Sequence, residues 1–176
     1  MGVLGVVYFS PDELGLIKNS PSVRRKFMDV ALSQQSRTYY YTLGKYGKSL
    51  LQRNKLLKSG GDSLKQTLDI WDEQIAKEGA FIIQKRREFL LGLSKIAGCI
   101  HEEVSLGDKL ELEYETLTLG ENIDEIKENL IIGLQKNRER DIYLGYTSVG
   151  PHRDDIAVTT NGLDTRKYSS QGQQRT

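Results

Sequence analysis

Residues 64–100 read LKQTLDIWDEQIAKEGAFIIQKRREFLLGLSKIAGCI, with no proline in the run. Its large apolar side chains recur at steps of three, four or seven residues: Leu64, Leu68, Trp71, Ile75, Ile82, Phe89, Leu93, Ile96 and Ile100. That spacing predicts one amphipathic helix, which would extend roughly 50 Å at about 1.5 Å per residue. Gly79, Gly92 and Gly98 would each bend this helix or let a neighbouring segment approach closely.

A second helical pattern precedes the first. Between Tyr39 and Leu57 the apolar residues again recur at helical steps, and Gly60-Gly61 follows. We expect two long antiparallel helices joined at these glycines and forming a projecting arm. The stretch GKYGKS, residues 44–49, ends like a phosphate-binding Walker A loop, but that loop requires a glycine where this chain has Thr42. An ordinary helix is therefore the better interpretation.

Residues 21–31 show a third helical pattern with one apolar face. Val23, Phe27, Val30 and Ala31 share that face, whereas the basic residues 24–26 lie largely on the other. An amphipathic helix of this kind normally turns its apolar face to the core. We therefore expect Val23, Phe27 and Val30 to be buried.

Strand patterns appear towards the carboxyl end. KLELEYE alternates apolar and charged residues, which predicts a strand near residues 109–116 with one face in water. Asn122 and Glu125 form a capping box that opens a helix running towards Ile142. DDIAVTTNGLDTRKY, residues 154–168, reads as strand, Asn161-Gly162 turn, strand. The predicted fold class is α+β: a predominantly helical arm with a small antiparallel sheet near the C-terminal part.

Composition limits the classes of partner. The 176 residues include 25 basic and 24 acidic side chains, for a net charge of +1, so nucleic-acid binding would have to come from local clusters. The single cysteine, Cys99, cannot form an internal disulfide and is expected in the core. Residues 3–9 form an apolar run too short to cross a bilayer. These features predict a cytoplasmic protein without a membrane partner.

Three clusters of basic residues are candidate DNA contacts, because phosphate binding requires several cations on one surface. Their members are Arg24, Arg25 and Lys26; Lys85, Arg86 and Arg87; and Arg138 with Arg140. The alternative for each cluster is a solvated helix face.

The stretch GPHRDD, residues 150–155, places an imidazole, a guanidinium and two carboxylates together. A metal or acid–base site is conceivable there. However, the only other histidine is His101, and adjacent carboxylates in a strand point to opposite faces. We therefore expect a turn that enters a strand, with Arg153 paired to an aspartate, and we predict no catalytic or metal-binding residue.

The last stretch, YSSQGQQRT, contains a serine, a variable residue, a glycine and a glutamine in the pattern of the ABC-type signature. Ser170 and Gln173 fit a capping box, and the start of a helix is a favourable site for a phosphate. Only three residues follow Gln173, too few for a stable helix. We therefore expect the chain to be part of a longer one.

Four stretches occur in the order found in the RecF family of bacterial replication and recombinational repair proteins, which the chain resembles over essentially its whole length. They are SPDELGLIKNSPSVRRKFMD, LLQRNKLLK, RDIYLGYTSVGPHRDD and YSSQGQQRT. This family resembles the ATPase heads of structural-maintenance-of-chromosomes proteins. The resemblance implies a strand at residues 1–10 that connects to an ATPase head, a helical lever-arm domain at 11–150, and a β-hairpin at 151–176 that leads into the signature.

The resemblance also implies functions. Ser170, Gly172 and Gln173 would contact a nucleotide held by the other subunit of an ATP-dependent homodimer. The family's Walker A and Walker B motifs are not found in this sequence, so the chain alone would bind no cofactor and would not be an enzyme, whereas the full-length protein would use ATP and Mg²⁺. Its partners would be duplex DNA near single-strand gaps and the RecR and RecO proteins, with which it would load recombinase. The alternative is a helical protein-interaction domain that does not touch DNA.

Overall fold

The computed structural model describes residues 15–59 and 64–168. The helices are α1 (Gly15–Lys18), α2 (Pro21–Gln35), α3 (Arg37–Ser59), α4 (Leu64–Val104), α5 (Ile123–Lys136), α6 (Arg138–Leu144) and α7 (Thr165–Tyr168). The strands are β1 (Leu110–Glu115), β2 (Asp155–Thr160) and β3 (Leu163–Asp164). The predicted α+β class, with long helices and a small antiparallel sheet near the C-terminal part, is confirmed.

Helix α4 is the axis of the fold. Its 41 residues are continuous, so it is about 60 Å long. Helix α3 runs antiparallel along it, because the later α3 residue Arg53 bonds Asp72 whereas the earlier Ser49 bonds Glu78. Helices α2 and α5 and strand β1 also pack on α4.

Two of the predicted glycines of α4 admit a close neighbour. A Cβ at Gly79 would lie 3.1 Å from Leu130 Cδ1, and one at Gly98 would lie 3.0 Å from the carbonyl oxygen of Leu110. A Cβ at Gly92 would meet open space. Close packing of α5 and of β1 against α4 thus depends on the first two glycines.

The sheet has the order β1-β2-β3, and all its pairs are antiparallel. Asn161 and Gly162 connect β2 to β3 with φ angles of 52° and 78°, the left-handed values of the predicted hairpin turn. The second strand of the hairpin is shorter than expected, because α7 begins at Thr165. Asn122 caps α5 as predicted, since its Oδ1 accepts from the backbone N–H groups of Asp124 and Glu125.

Two apolar clusters form the core. The larger one lies among α3, α4 and α5 and includes Tyr46, Ile75, Ile83 and Leu130. The smaller one lies between α2, α4 and the sheet, and its buried members are Met28, Leu90, Ile156 and Val158. The sheet is therefore attached to the half of α4 that ends at Val104.

The prediction of which side of α2 faces the core is wrong. Val23, Phe27 and Val30 are 38%, 36% and 48% exposed, whereas Arg24 and Met28 are buried. The helix is rotated because Arg24 faces inward, where its Nη1 donates to the carbonyls of residues 16, 17 and 19. These bonds satisfy carbonyl oxygens in and after α1 that the short helix leaves unpaired.

Two smaller expectations are also corrected. The helix that Asn122 opens ends at Lys136, and Asn137 separates it from α6, so Ile142 belongs to a different helix. Cys99 is exposed rather than part of the core. Among the helices of the described ranges, none has both the length and the apolar character that crossing a membrane requires.

Candidate nucleic-acid interface

All the charged side chains of helix α3 are positive. They are Arg37, Lys45, Lys48, Arg53, Lys55 and Lys58, and its sequence has neither aspartate nor glutamate. Arg53 turns inward and is fully buried. The other five cations are exposed and form no ion pair within residues 15–59 and 64–168.

These five side chains share one side of the helix, which we name the cationic face of α3. Since each residue turns an α-helix by about 100°, Arg37, Lys48 and Lys55 project within about 20° of one another. Arg37 and Lys55 are about 27 Å apart along the helix axis, at about 1.5 Å per residue. Tyr41 lies on the same side between Arg37 and Lys45, and its side chain is 64% exposed. The face is thus a row of exposed cations on a rigid element.

The interior side of α3 holds this face in place. Arg53 Nε lies 2.7 Å from Asp72 Oδ1, and its Nη1 lies 2.7 Å from Asp141 Oδ2 and 2.9 Å from Thr147 Oγ1. Asn54 Oδ1 accepts from the backbone N–H of Thr147 at 2.8 Å. These bonds join α3 to α4, to α6 and to the loop that follows α6.

Of the first predicted DNA cluster, only Lys26 is exposed. Arg24 is buried, and its Nε lies 2.6 Å from Asp155 Oδ1, so its guanidinium is part of the core. Arg25 is half-buried and donates to the carbonyl oxygen of Asp154 at 2.8 Å. The side chains of these three adjacent residues thus point in different directions in the fold.

The second cluster is also used within the fold. Arg86 is buried, binds both carboxylate oxygens of Asp29 at 2.8 and 3.0 Å, and donates to the carbonyl of Pro151 at 2.7 Å. Arg87 donates to the carbonyl of Gly120 at 2.6 Å. Lys85 forms a surface ion pair with Glu88 at 2.6 Å, and both side chains remain partly exposed to solvent.

In the third cluster, Arg138 Nη2 lies 2.6 Å from both Asp69 Oδ1 and Asp72 Oδ2, whereas Arg140 is exposed. Lys26 and Arg140 are therefore the predicted contacts that face solvent most fully. Arg24 and Arg86 face the interior, so the structure corrects the expectation that they lie on the surface.

The cationic face of α3 was not among the predicted contacts, because its cations are not adjacent in the sequence. A signal for it does exist: no aspartate or glutamate occurs from Val30 to Gly61, in a chain with 24 acidic residues. The basic residues of this stretch also recur at helical steps. Charge composition counted along a predicted helix, rather than over adjacent letters, would have indicated this face.

His152 uses both ring nitrogens inside the fold. A carbonyl oxygen can only accept, so Nε2–H donates to Thr147 O at 3.0 Å and Nδ1 accepts from the Tyr46 hydroxyl at 2.6 Å. Burial lowers the pKa of His152 to about 4, so the imidazole is neutral at pH 7. Among the described residues no group of three His, Cys, Asp or Glu side chains could hold a metal ion.

The predicted pairing of Arg153 with an aspartate is wrong. Arg153 Nη2 donates to Thr147 O at 3.1 Å, and its guanidinium lies 4.8 Å from the centre of the Tyr146 ring. Asp155 pairs instead with Arg24 and, at 3.1 Å, with Arg166. Asp154 accepts from the Tyr114 hydroxyl at 2.6 Å.

The signature candidates Ser170, Gly172 and Gln173 lie outside the described residues. The segment that precedes them is tied to the arm, because Arg166 of α7 pairs with both Asp164 and Asp155, and Asp155 pairs with Arg24 of α2. A continuous series of ion pairs therefore connects α2 to the last described helix.

Comparisons with known proteins complete these observations. No family model matches the chain. It is 46% identical over 179 residues to the DNA replication and repair protein RecF of Clostridium tetani, covering 99% of this chain and 48% of that protein. The RecF of Agathobacter rectalis is 46% identical over 180 residues, covering 99% of this chain and 47% of the relative.

Solved structures agree with these relatives. The recombination mediator protein RecF of the RecFOR pathway, solved as RecF-ATPrS, matches with a TM-score of 0.91 at 38% identity, covering 95% of this chain and 46% of that one. The RecF-ATP structure matches with a TM-score of 0.88. Fold and sequence together define a member of a class of DNA replication and repair proteins. Within that class, the chain belongs to the RecF family, and it spans about half the length of the curated relatives that it matches.

Proposed function

We propose that this chain is the lever-arm segment of a RecF-type ATP-dependent DNA-binding protein, and that the cationic face of α3 binds the backbone phosphates of duplex DNA. The observation that carries the proposal is the absence of any carboxylate from a 23-residue helix whose five exposed cations share one side. Phosphate binding needs cations in a row and no base-specific geometry.

Local charge is what makes this face suitable. The chain as a whole has a net charge of +1, so its overall field is weak. Along α3, however, nothing on the same helix neutralises the lysines, and each phosphate that they contact would release a condensed counterion. The inward bonds of Arg53 and Asn54 keep the helix fixed, so little order has to be gained on binding.

The family resemblance supplies the setting. In the whole protein, ATP and Mg²⁺ would be bound by segments that this chain does not contain, and Ser170, Gly172 and Gln173 would contact the nucleotide of a second subunit in an ATP-dependent homodimer. By itself the chain would not hydrolyse ATP. The structural matches named as RecF-ATP and RecF-ATPrS support the role of ATP, and the RecFOR pathway in which they are placed supports partners in recombinational repair. The partners that the resemblance implies are RecR and RecO, with which the protein would load recombinase near gaps.

The ion pairs among Arg24, Asp155 and Arg166 support a mechanical role. They join α2 to the helix just before the signature, so movement of the signature on binding nucleotide would be passed to the arm. A bacterial replication and repair protein of this kind would act in the cytoplasm.

Replacing Lys45, Lys48 and Lys55 together by glutamine tests the proposal. A matched control replaces Lys77, Lys95 and Lys109, which are also exposed, and changes the net charge equally. We expect the α3 variant to lose on the order of 10- to 100-fold in affinity for a fluorescent duplex at low salt, because three phosphate contacts are lost, and the control to change less than about threefold.

Fluorescence anisotropy with the 176-residue chain provides the measurement. Equal loss in the two triple variants would show that only net charge matters, and would contradict a dedicated face. Duplex binding that neither variant changes, or no duplex binding at low salt, would favour the alternative of a protein-interaction domain without DNA contact.

A further inference from the structure

An open groove with a volume of about 550 Å³ lies between helices α2 and α3. Its walls include Arg25, Lys26, Val30 and Ser33 from α2 and Tyr40 and Leu43 from α3. The α2 residues that line it, from Ser22 to Gln34, extend about 18 Å along the helix at about 1.5 Å per residue. That length suits a short peptide segment rather than a compact small molecule.

The middle of the groove is apolar and accessible. Val30 is 48% exposed and Tyr40 is 60% exposed, and Leu43 lies half-buried beside them. Val30 belongs to the α2 face that the sequence predicts to be buried and that this fold leaves in water. An apolar side chain of a partner could therefore bury area here without displacing any part of the described fold.

One end of the groove has an excess of positive charge. Lys26 is exposed, and Arg25 donates only to the carbonyl oxygen of Asp154 among the hydrogen bonds of the described residues. The carboxylate that also lines this end, Asp29, is already bound by Arg86. Burial and the nearby Arg86 lower the pKa of Arg25 more than Asp155 and Asp154 raise it, which indicates a cation short of anionic partners.

We propose that this groove, the α2–α3 groove, docks a short acidic segment of a partner protein. One aliphatic or aromatic side chain of the segment packs among Val30, Tyr40 and Leu43, and its carboxylates face Arg25 and Lys26. Charge complementarity sets the orientation, and the apolar contact supplies most of the affinity.

A nucleic-acid strand fits the groove less well. Its phosphates repeat along its whole length, whereas the cations of the groove lie at one end and the middle offers aliphatic carbon. The cationic face of α3 has the opposite character, since its cations recur along the helix. Tyr40 lines the groove, and its ring lies 5.5 Å from that of Tyr41, which is on the side of the cationic face. A docked segment would therefore lie beside the proposed DNA site without competing for its lysines.

An NMR titration tests the proposal. The ¹⁵N-labelled 176-residue chain is titrated with the peptide acetyl-Asp-Glu-Asp-Leu-Phe-Leu-amide, and separately with acetyl-Lys-Lys-Lys-Leu-Phe-Leu-amide. We expect the acidic peptide to bind saturably with a Kd below about 1 mM, and to shift the amide signals of Lys26, Val30, Tyr40 and Leu43. The basic peptide should bind at least tenfold more weakly.

Variants of exposed side chains keep the fold intact and locate the effect. Val30→Asp and Lys26→Glu should each weaken the acidic peptide at least tenfold, whereas the matched controls Val104→Asp and Lys95→Glu should leave it unchanged. Lys48→Gln should also leave it unchanged, which separates this site from the proposed DNA-binding function.

Three outcomes would overturn the proposal: no saturable shift with the acidic peptide, equal binding of the two peptides, or shifts that the groove variants do not reduce. A fourth outcome comes from a titration with an eight-nucleotide oligothymidylate, which tests whether nucleic acid binds in the groove instead. If it shifts the groove amides more strongly than the acidic peptide does, the groove binds nucleic acid and the proposal is wrong.

Discussion

Replacing Arg53 by methionine should strongly destabilise the fold. The Arg53 side chain is 0% exposed and is shared between Asp72 and Asp141, both at 2.7 Å. Without it, Asp72 keeps its ion pair with Arg138. Asp141 is also 0% exposed, and within the described residues its carboxylate keeps only the hydrogen bond from the N–H of Ser148. An almost isolated carboxylate would then remain in the interior.

Breaking a buried ion pair from one side costs about 3–5 kcal/mol. Arg53 Nη2 has no hydrogen-bond acceptor within the described ranges, which reduces what the native guanidinium contributes, so we expect the lower half of that range. Even about 3 kcal/mol would be a large part of the roughly 5–15 kcal/mol by which a domain is stable.

Urea unfolding followed by circular dichroism at pH 7 measures the change. The matched control is Lys85→Met, which breaks the surface pair with Glu88, whose side chain is 51% exposed; it should change the free energy of unfolding by less than about 1 kcal/mol. Arg53→Met combined with Asp141→Asn should recover part of the loss, since no charge is then left unpaired. A loss below about 1 kcal/mol for Arg53→Met, or one equal to the control, would refute the reasoning.

Three further predictions concern packing and pH. Gly79→Leu should lower the free energy of unfolding by about 1–3 kcal/mol, because Leu130 Cδ1 lies 3.1 Å from the new Cβ. Gly92→Leu, whose Cβ meets open space, should raise it by up to about 1 kcal/mol. Urea unfolding of the two variants makes the comparison. The pKa of His152 is lowered to about 4, so its contribution to the free energy of unfolding is present above pH 6.5 and lost as the pH falls towards 4. His152→Gln should flatten that loss of stability. An unchanged profile of stability against pH would contradict this prediction. Burial raises the pKa of Asp154 to about 6, so its contribution is present below about pH 4 and lost as the pH rises to 6; Asp154→Asn should remove this opposite slope.

Local patterns in the sequence predicted the elements well. The spacing of Leu68, Trp71 and Ile75 predicted α4, the Asn122 cap predicted the start of α5, and Asn161-Gly162 predicted the hairpin turn. Each of these signals depends on residues within one or two turns of one another. Such signals can be read from one sequence because the physical interaction is itself local.

The errors come from partners that are far apart in the sequence. Arg24 was assigned to a solvent face because it is charged, yet its partner Asp155 lies 131 residues away. Arg86 likewise finds Asp29 from 57 residues away. A buried ion pair makes a charged residue behave as part of the core, and periodicity cannot reveal this without knowledge of the pairing.

The candidate site was only partly within reach of the sequence. The signature candidates at 170–173 came from a motif and remain predictions. The cationic face of α3 required the knowledge that Arg53 turns inward while Lys48 and Lys55 turn outward, although the absence of carboxylates from Val30 to Gly61 was visible from the start.

The salt dependence of duplex binding tests the central claim, that the cationic face of α3 binds DNA phosphates, most directly. If Lys45, Lys48 and Lys55 each neutralise one phosphate, replacing all three by glutamine should reduce the slope of log K against log salt concentration by about 2.7, at about 0.9 per contact. The control variant of Lys77, Lys95 and Lys109 should keep the native slope. An unchanged slope in the α3 variant, or an equal reduction in the control, would contradict the account.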